Sequence, residues 1–215
     1  MRYAFAMSLR RLPAGDGALI QIVDAALADA ARRSGEWLVC RPGCTQCCVG
    51  VFAVSQLDAV RLQRGLARLE KTDPERAGRI RSRARESVRR LAAEFPGNSK
   101  TGLLDVEIFD EGSEAEERFA EFANDEPCPV LDSETGLCDL YDARPMTCRT
   151  FGPPVRSEDG LGVCELCFRG ATDDQIAGCE MVVDADDLEA KLVGKLEKAR
   201  GRRGQTIVAF CVTRL

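Results

Sequence analysis

Residues 40–48 read Cys40-Arg41-Pro42-Gly43-Cys44-Thr45-Gln46-Cys47-Cys48, and this short run holds four cysteines. The whole chain of 215 residues contains eleven cysteines and no histidine. The two-residue gap between Cys44 and Cys47 lets a tight turn direct two thiolates at one ion, and Gly43 permits the close backbone approach that such a turn requires. The segment therefore predicts a thiophilic metal site, to which Cys40 and Cys48 add two further sulfurs.

The adjacent pair Cys47 and Cys48 bears on the number of sites. Neighbouring side chains diverge, so both thiolates seldom reach one tetrahedral ion without backbone strain. This favours two metal sites, or one polynuclear cluster, over a single four-cysteine zinc ion. The alternative is that Cys48 is simply a small buried apolar residue.

A second cysteine-rich block occupies residues 128–148. Residues 132–136, Asp-Ser-Glu-Thr-Gly, are typical of a turn, which would bring Cys128 and Cys138 together across a hairpin-like loop. Cys148 follows at the same spacing from Cys138. We expect this block to supply a second half of the metal centre.

Two arginines flank Cys148 and have two possible roles. Arg144 and Arg149 could offset thiolate charge, or lower the pKa of a thiol, through hydrogen bonds. They could instead form salt bridges with Asp139 or Asp142, and the two roles can coexist.

Four cysteines remain in the C-terminal part of the chain. Cys164 and Cys167 repeat the two-residue gap, and they are predicted to be ligands rather than a redox dithiol because no thioredoxin-like strand and helix pattern surrounds them. Cys179 is a possible further ligand or a spare, whereas Cys211, in an apolar segment, is predicted to be a core residue. The predicted metal ligands are Cys40, Cys44, Cys47, Cys48, Cys128, Cys138, Cys148, Cys164 and Cys167.

The ligand chemistry narrows the choice of metal without settling it. All-cysteine ligation suits both zinc and iron-sulfur clusters, because both are thiophilic and tetrahedral at each metal. The lack of histidine excludes mixed cysteine and histidine zinc sites and most hydrolytic zinc sites. The expected cofactor is an iron-sulfur cluster or zinc, with a slight preference for the cluster, and no catalytic residue is assigned.

The two blocks resemble a known family, the cysteine-cluster proteins of the YkgJ type. This family is named for a CxxCxxCC motif, and its members are described as zinc- or iron-chelating domains. The resemblance covers residues 40–66 and 128–167. It is most specific where Cys138 is followed by Leu-Tyr and where Arg-Pro precedes Cys148. Such proteins carry about eight motif cysteines, here including one of the two at positions 164 and 167. This chain departs from the named pattern because three residues, not two, separate Cys40 from Cys44.

The resemblance implies metal binding and little more. A related cysteine lobe occurs in flagellin lysine methylases, where an iron-sulfur cluster is implied, so an enzymatic role stays open. The chain lacks a glycine-rich G-x-G-x-x-G fingerprint, which weakens a methylase interpretation. An enzyme would need a pocket beside the metal, and the candidate lining residues are Tyr141, Arg144, Arg149 and Phe151.

Hydrophobic periodicity predicts a mainly α fold, in which several helices surround an irregular cysteine-rich metal-binding lobe. Helices are expected at residues 16–33, from Ser55 onward, at 73–94, after an N-cap at Ser113, and at 185–200. One or two short β elements are expected at residues 49–54 and 206–212, where β-branched and aromatic residues are frequent.

The chain is predicted to form a single domain, residues 1–215. Its parts are an N-terminal helical extension (1–39), the cysteine-cluster lobe (40–70 and 127–180), a basic helix with an acidic insert (73–123), and a C-terminal helix and strand (185–215).

Charge and hydropathy limit the partners. The formal net charge of −5 makes bulk attraction to nucleic acid unfavourable. The basic helix carries Arg76, Arg79, Arg81, Arg83, Arg85, Arg89 and Arg90. It could present an RNA or acidic-partner surface, but contact with the acidic segment or with solvent is the favoured interpretation.

No stretch approaches the roughly 18 to 20 apolar residues that cross a bilayer, and arginines interrupt the N-terminal apolar patch too early for a secretory signal. We therefore expect a cytoplasmic metal-binding protein, structural or electron-carrying, with a possible protein partner and no membrane association. The alternatives are a metal-dependent redox or group-transfer enzyme and a nucleic-acid-binding module.

Overall fold

The computed structural model describes residues 11–157, 160–184 and 186–213. In these residues the fold is mainly α, as the sequence predicts. Its helices are α1 (Asp16–Ser34), α2 (Gln56–Thr72), α3 (Pro74–Leu91), α4 (Glu114–Glu121), α5 (Met146–Thr150), α6 (Asp173–Gly178), α7 (Leu188–Arg200) and α8 (Val208–Thr213).

In the described residues the strands form three antiparallel two-stranded sheets, and a few isolated bridges lie outside them. The sheets pair β1 (Gly97–Asn98) with β2 (Leu103–Leu104), β3 (Leu131–Asp132) with β4 (Leu137–Cys138), and β5 (Val155–Ser157) with β6 (Gly160–Gly162). Short 3₁₀ turns at Gly35–Trp37, Gln46–Cys48, Val106–Phe109 and Tyr141–Ala143 connect the longer elements.

Capping residues set where helices α2 and α3 begin. The Ser55 side chain accepts a hydrogen bond from the Asp58 backbone N–H (3.1 Å) and so begins α2. Asp73 ends α2, and its carboxylate accepts from the Arg76 N–H (2.9 Å) to begin α3, with Pro74 at the first helical position. The two helices therefore form a hairpin with a single residue at the corner.

The first core lies between this hairpin and α8. Leu62 and Leu66 of α2, Ile80 of α3 and Val212 of α8 are fully buried there. The cysteine-rich lobe joins the same core through Val130, Leu140 and Ala143. The lobe is thus packed directly on the helical framework.

A second core lies on the other side of α2. Leu19 and Val23 of α1 pack with Leu192 and Leu196 of α7, and Met146 of α5 is buried among them. A third core contains Phe95, Phe122 and Phe210, in which the Phe95 ring contacts the other two. None of the helices in the part of the chain that the structure describes has the length and apolar character needed to span a membrane.

Both predicted strands are wrong in their position. Residues 206–212 contribute one antiparallel bridge, between Thr206 and Val54, and then enter helix α8. Residues 49–54 form bridges only at their two ends, Val49 with Pro127 and Val54 with Thr206. The branched and aromatic residues of α8 are buried on every side of the helix. Their apolar composition therefore reflects burial, not an extended backbone.

Candidate metal centre

The first cysteine block is built from two consecutive turns. The Cys44 N–H donates to the Arg41 carbonyl (2.9 Å), and the Cys48 N–H donates to the Thr45 carbonyl (2.8 Å). Gly43 lies within the first turn and has a φ of 91°, a left-handed conformation that glycine adopts without strain. The turns place all four cysteines of the block on a compact loop.

Two backbone contacts hold the second block against the first. The Cys128 N–H donates to the Cys48 carbonyl (2.8 Å). The turn of the β3–β4 hairpin touches the first block at Gly136, where an added Cβ would lie 3.3 Å from the Gly43 Cα. Cysteines from distant parts of the sequence are therefore brought into one lobe.

Nearby backbone N–H groups affect two of the thiols. Those of Val130 and Leu131 lower the pKa of Cys128, and that of Leu140 lowers the pKa of Cys138, although burial raises both pKa values by more. Backbone donors of this kind suit a metal-thiolate site, in which the sulfurs carry negative charge.

One set of thiols, here called the first cysteine group, comprises Cys40, Cys44, Cys164 and Cys167. Although Cys40 keeps an exposed edge, burial and then the thiols of Cys44, Cys47, Cys167 and Cys164 raise its pKa to about 11. Burial raises the pKa of Cys167, the backbone N–H groups of Val39 and Cys40 oppose the rise, and the Cys167 N–H donates to the Cys164 carbonyl (2.8 Å). The group joins the start of the cysteine lobe to its C-terminal part.

A second set, the second cysteine group, comprises Cys47, Cys128, Cys138 and Cys148. Burial, opposed in part by the backbone N–H of Val130, raises the pKa of Cys128 to about 12. Burial also raises the pKa of Cys148, and the thiols of Cys128, Cys138 and Cys47 add to the rise. These four thiols are grouped because the other three each raise the pKa of Cys148.

Cys47 and Cys48 connect the two groups. A hydrogen bond with the Cys48 thiol is the main cause that raises the pKa of Cys47, followed by burial. Cys47 also acts on the pKa of Cys40 in the first group and on those of Cys128, Cys138 and Cys148 in the second. Cys47 therefore influences thiols of both groups, and Cys48 forms a hydrogen bond with it.

The donor set fits zinc or an iron-sulfur cluster, because it consists of sulfur alone. Because the pKa values of Cys40, Cys128 and Cys148 are raised, these three thiols keep their protons at neutral pH without metal, and a binding metal must displace those protons. Within residues 11–157, 160–184 and 186–213, no three Cys, Asp or Glu side chains are already arranged to hold an ion.

The remaining cysteines are buried. Cys179 packs in the same apolar cluster as Cys164 and Cys167, beside Phe168. Cys211 is a core residue, as predicted, and its thiol donates to the Ile207 carbonyl (3.3 Å) one turn earlier in the chain. All eleven cysteines lie in the described residues, and none forms a disulfide.

Ion pairs clamp the second block, and they differ from those expected. Asp139, next to Cys138, is buried and pairs with Arg76 and Arg83 of α3, the latter at 2.6 Å. Arg83 also donates to the Pro129 carbonyl (2.9 Å). The basic helix thus holds the cysteine hairpin, a role that the sequence analysis did not assign to it.

The two arginines beside Cys148 also find other partners than the predicted ones. Arg149 is buried and donates to the carboxylate of Asp24 in α1 (2.8 Å) and to the backbone carbonyl of Asp142 (2.6 Å). Arg144 lies 3.9 Å above the Tyr141 ring. The predicted salt bridges to Asp139 and Asp142 are therefore wrong, since the acidic partner comes from a helix more than one hundred residues away.

A surface cavity of about 450 Å³ opens between the two cysteine groups. Its wall includes Cys47 of the second group and Cys164 of the first. Of the four residues expected to line a pocket beside the metal, Phe151 lines this cavity, whereas Tyr141, Arg144 and Arg149 do not.

The geometry described above agrees with the family comparison. Residues 39–167, more than half of the chain, match the family model CxxCxxCC, described as "Putative zinc- or iron-chelating domain". The chain belongs to this metal-chelating family. No curated protein and no solved structure matches it.

Proposed function

We propose that this metal-chelating protein holds zinc or an iron-sulfur cluster through its cysteines alone, in two adjacent centres with a structural or electron-carrying role. The proposed ligands are the four thiols of each cysteine group, with Cys48 serving the second group or bridging from it. The thiols are free of disulfides, which supports a reducing, cytoplasmic environment.

The observation that carries the proposal is the contact between the two cysteine blocks, where the Cys128 N–H donates to the Cys48 carbonyl (2.8 Å). The assignment to two centres is supported by the thiols of Cys44, Cys164 and Cys167, which raise the pKa of Cys40, and by those of Cys47, Cys128 and Cys138, which raise the pKa of Cys148. Four sulfurs are the number that a tetrahedral zinc ion or a cluster uses.

Each centre would close a long loop of chain. The first would join residues about 120 positions apart in sequence, and loop closure of this kind reduces the entropy of the unfolded state. The lobe has few regular elements of its own, which is the situation in which metal supplies stability that a small core does not.

Elemental analysis of anaerobically purified protein, with an absorption spectrum, tests the proposal. Cys128→Ser and Cys167→Ser should each remove roughly half of the bound metal, because each truncates one group. Cys211→Ala is the matched control, since Cys211 is buried in the helical core, and it should keep the full metal content.

The spectrum separates the two metals. Visible sulfur-to-iron absorption indicates an iron-sulfur cluster, and colourless protein with stoichiometric zinc indicates zinc sites. Metal content below one ion per chain in the wild type, or an unchanged content in both serine variants, would contradict the proposal.

A metal-dependent enzyme is the second candidate, and the cavity between the groups favours it. A substrate bound there would touch Cys47 and Cys164. The nucleic-acid alternative loses support, because Arg76, Arg81, Arg83 and Arg90 of the basic helix are paired with carboxylates.

A further inference from the structure

The cavity between the cysteine groups has an apolar wall assembled from separate parts of the chain. Val49 and Phe52 come from the segment after the first cysteine block, Phe151 follows α5, and Val163 follows β6. Val49 is 48%, Phe151 41% and Val163 36% exposed, although each is a large apolar side chain. Exposed apolar residues that converge on one concavity are typical of a ligand site.

The polar side chains of the cavity form an acceptor-rich rim. Gln46 donates to one carboxylate oxygen of Glu165 (2.8 Å), and Asn124 donates to the Ala120 backbone carbonyl (2.8 Å). Each bond uses one of the two N–H donors of an amide, so the rim keeps both amide oxygens and the second carboxylate oxygen of Glu165 as acceptors, beside one N–H donor on each amide. The rim therefore suits a ligand that donates hydrogen bonds.

The rim also carries a negative charge without a cationic partner in the described residues. Glu165 forms no ion pair there, and the nearby Arg169 donates to its backbone carbonyl (3.2 Å) instead of its carboxylate. A carboxylate at the edge of an apolar cavity favours a cationic group over a neutral or anionic one.

We propose that this cavity binds a small organic cation, an apolar body that carries a protonated amine, with the body against Phe151 and Val163 and the amine at Glu165. The volume of about 450 Å³ falls within the usual range for small-molecule sites. This inference goes beyond metal binding, because it rests on the cavity's own apolar and polar side chains.

Three dyes that share one fluorophore test the charge preference. Dansylcadaverine carries an amine, dansylamide is neutral and dansylglycine carries a carboxylate. With purified full-length protein we expect saturable binding of dansylcadaverine with blue-shifted emission, and binding of dansylglycine that is at least about tenfold weaker.

Variants locate the site. Phe151→Ala should weaken binding of dansylcadaverine and dansylamide by about tenfold, because an apolar wall is lost. Phe109→Ala is the matched control, since Phe109 is 51% exposed but lies outside the cavity, and it should change neither affinity. Glu165→Gln should weaken dansylcadaverine by about fivefold and leave dansylamide unchanged. Circular dichroism confirms that each variant is folded.

Equal affinities for the three dyes, or equal effects of the two phenylalanine variants, would overturn the proposal. Metal content is measured on the same samples. If the protein holds its full metal content but binds the three dyes equally, the result contradicts the cation site and leaves the proposed metal centres standing. Selective dye binding to a protein that purifies without metal contradicts the proposed metal centres alone.

Discussion

Arg61 is the residue at which three helices meet. Its guanidinium, buried in α2, pairs with Asp16 of α1 (2.6 Å) and with Asp58 of its own helix (2.8 Å). Asp58 in turn accepts the Met146 N–H (3.0 Å) at the start of α5, the helix that carries Cys148. One buried charge network therefore fixes the position of a proposed metal ligand.

Replacement of this arginine should be costly. Arg61→Met leaves two buried carboxylates without their cation, and we expect the free energy of unfolding to fall by about 3 kcal/mol. Arg32→Met, which breaks the exposed pair with Asp29, should change it by less than about 0.5 kcal/mol. Urea denaturation measures both, and equal losses would show that the buried network has no special role.

Glu189 in α7 faces the same network. Burial, and then the carboxylates of Asp58, Asp184 and Asp16, raise its pKa to about 7, while Arg61 opposes the rise. Between pH 4.5 and 7 the unfolded chain has an ionised Glu189, whereas the folded chain retains the proton. Its contribution therefore makes the protein less stable as pH rises through this window.

The variant Glu189→Gln should remove this loss of stability at higher pH. At pH 8 we expect it to be more stable than wild type by about 1 kcal/mol, a value discounted because the carboxyl is partly exposed to solvent. At pH 4 the difference should vanish. Urea midpoints at the two pH values provide the measurement, and Glu117→Gln on exposed α4 is the control; an equal gain at both pH values would refute the assigned pKa.

At the scale of elements, α2 packs closely on the Tyr141–Ala143 turn of the cysteine lobe. A Cβ at Gly65 of α2 would lie 2.4 Å from the Ala143 Cβ, well inside the contact limit. Gly78 of α3 is also in a helix interior, but a Cβ there meets nothing within 4 Å. Only the first glycine is required by packing.

This contrast gives a matched pair of substitutions. Gly65→Ala forces the turn away from α2 and should destabilise the protein by about 1 to 3 kcal/mol. Gly78→Ala should stabilise it by about 0.5 to 1 kcal/mol, because alanine is the better helix former. Thermal denaturation followed by circular dichroism measures both, and the same sign of change for the two variants would contradict the packing argument.

Helix α3 and the β3–β4 hairpin form the second important pair of elements. Asp139→Asn removes the carboxylate that holds Arg76 and Arg83, so the hairpin with Cys128 and Cys138 should move more freely. We expect metal to pass to a chelator several-fold faster than in wild type, because supporting contacts orient metal ligands. Glu70→Gln, which weakens the exposed pair with Arg81, should leave the transfer rate unchanged. Equal rates for Asp139→Asn and wild type would exclude this coupling.

At the scale of the whole molecule, apolar packing and the proposed metal centres stabilise different regions. Helices α2, α3 and α8 share a core of fully buried aliphatic residues. Residues 151–180 contain short elements and the small apolar cluster around Cys167, Phe168 and Cys179. We therefore expect the cysteine lobe to depend more strongly on metal than the helical framework does.

Metal removal should expose this difference. After chelation we expect most of the helical circular dichroism to remain, while limited proteolysis begins to cut within residues 151–180. Residues 56–91, which form the α2–α3 hairpin, should stay protected. A lobe that resists protease equally with and without metal would contradict the stabilising role proposed for the centres.

Local signals in the sequence were sufficient for much of the framework. The N-caps at Ser55, Asp73 and Ser113 act as predicted, because a cap depends on residues within one turn. The division into an extension, lobe, insert and C-terminal part stays a prediction. So do the metal-ligand roles, although the spacing of the cysteines pointed to the two blocks that the structure brings together.

The sequence by itself predicted sulfur ligation, since the chain has eleven cysteines and no histidine, and it determined the helix starts after Ser55, Asp73 and Ser113. Tertiary structure decided that residues 208–213 are helical and that Asp24 and Asp139 hold the arginines. The physical reason is range: caps and turns are settled by neighbours in the chain, whereas burial and ion pairing depend on residues that only folding brings close.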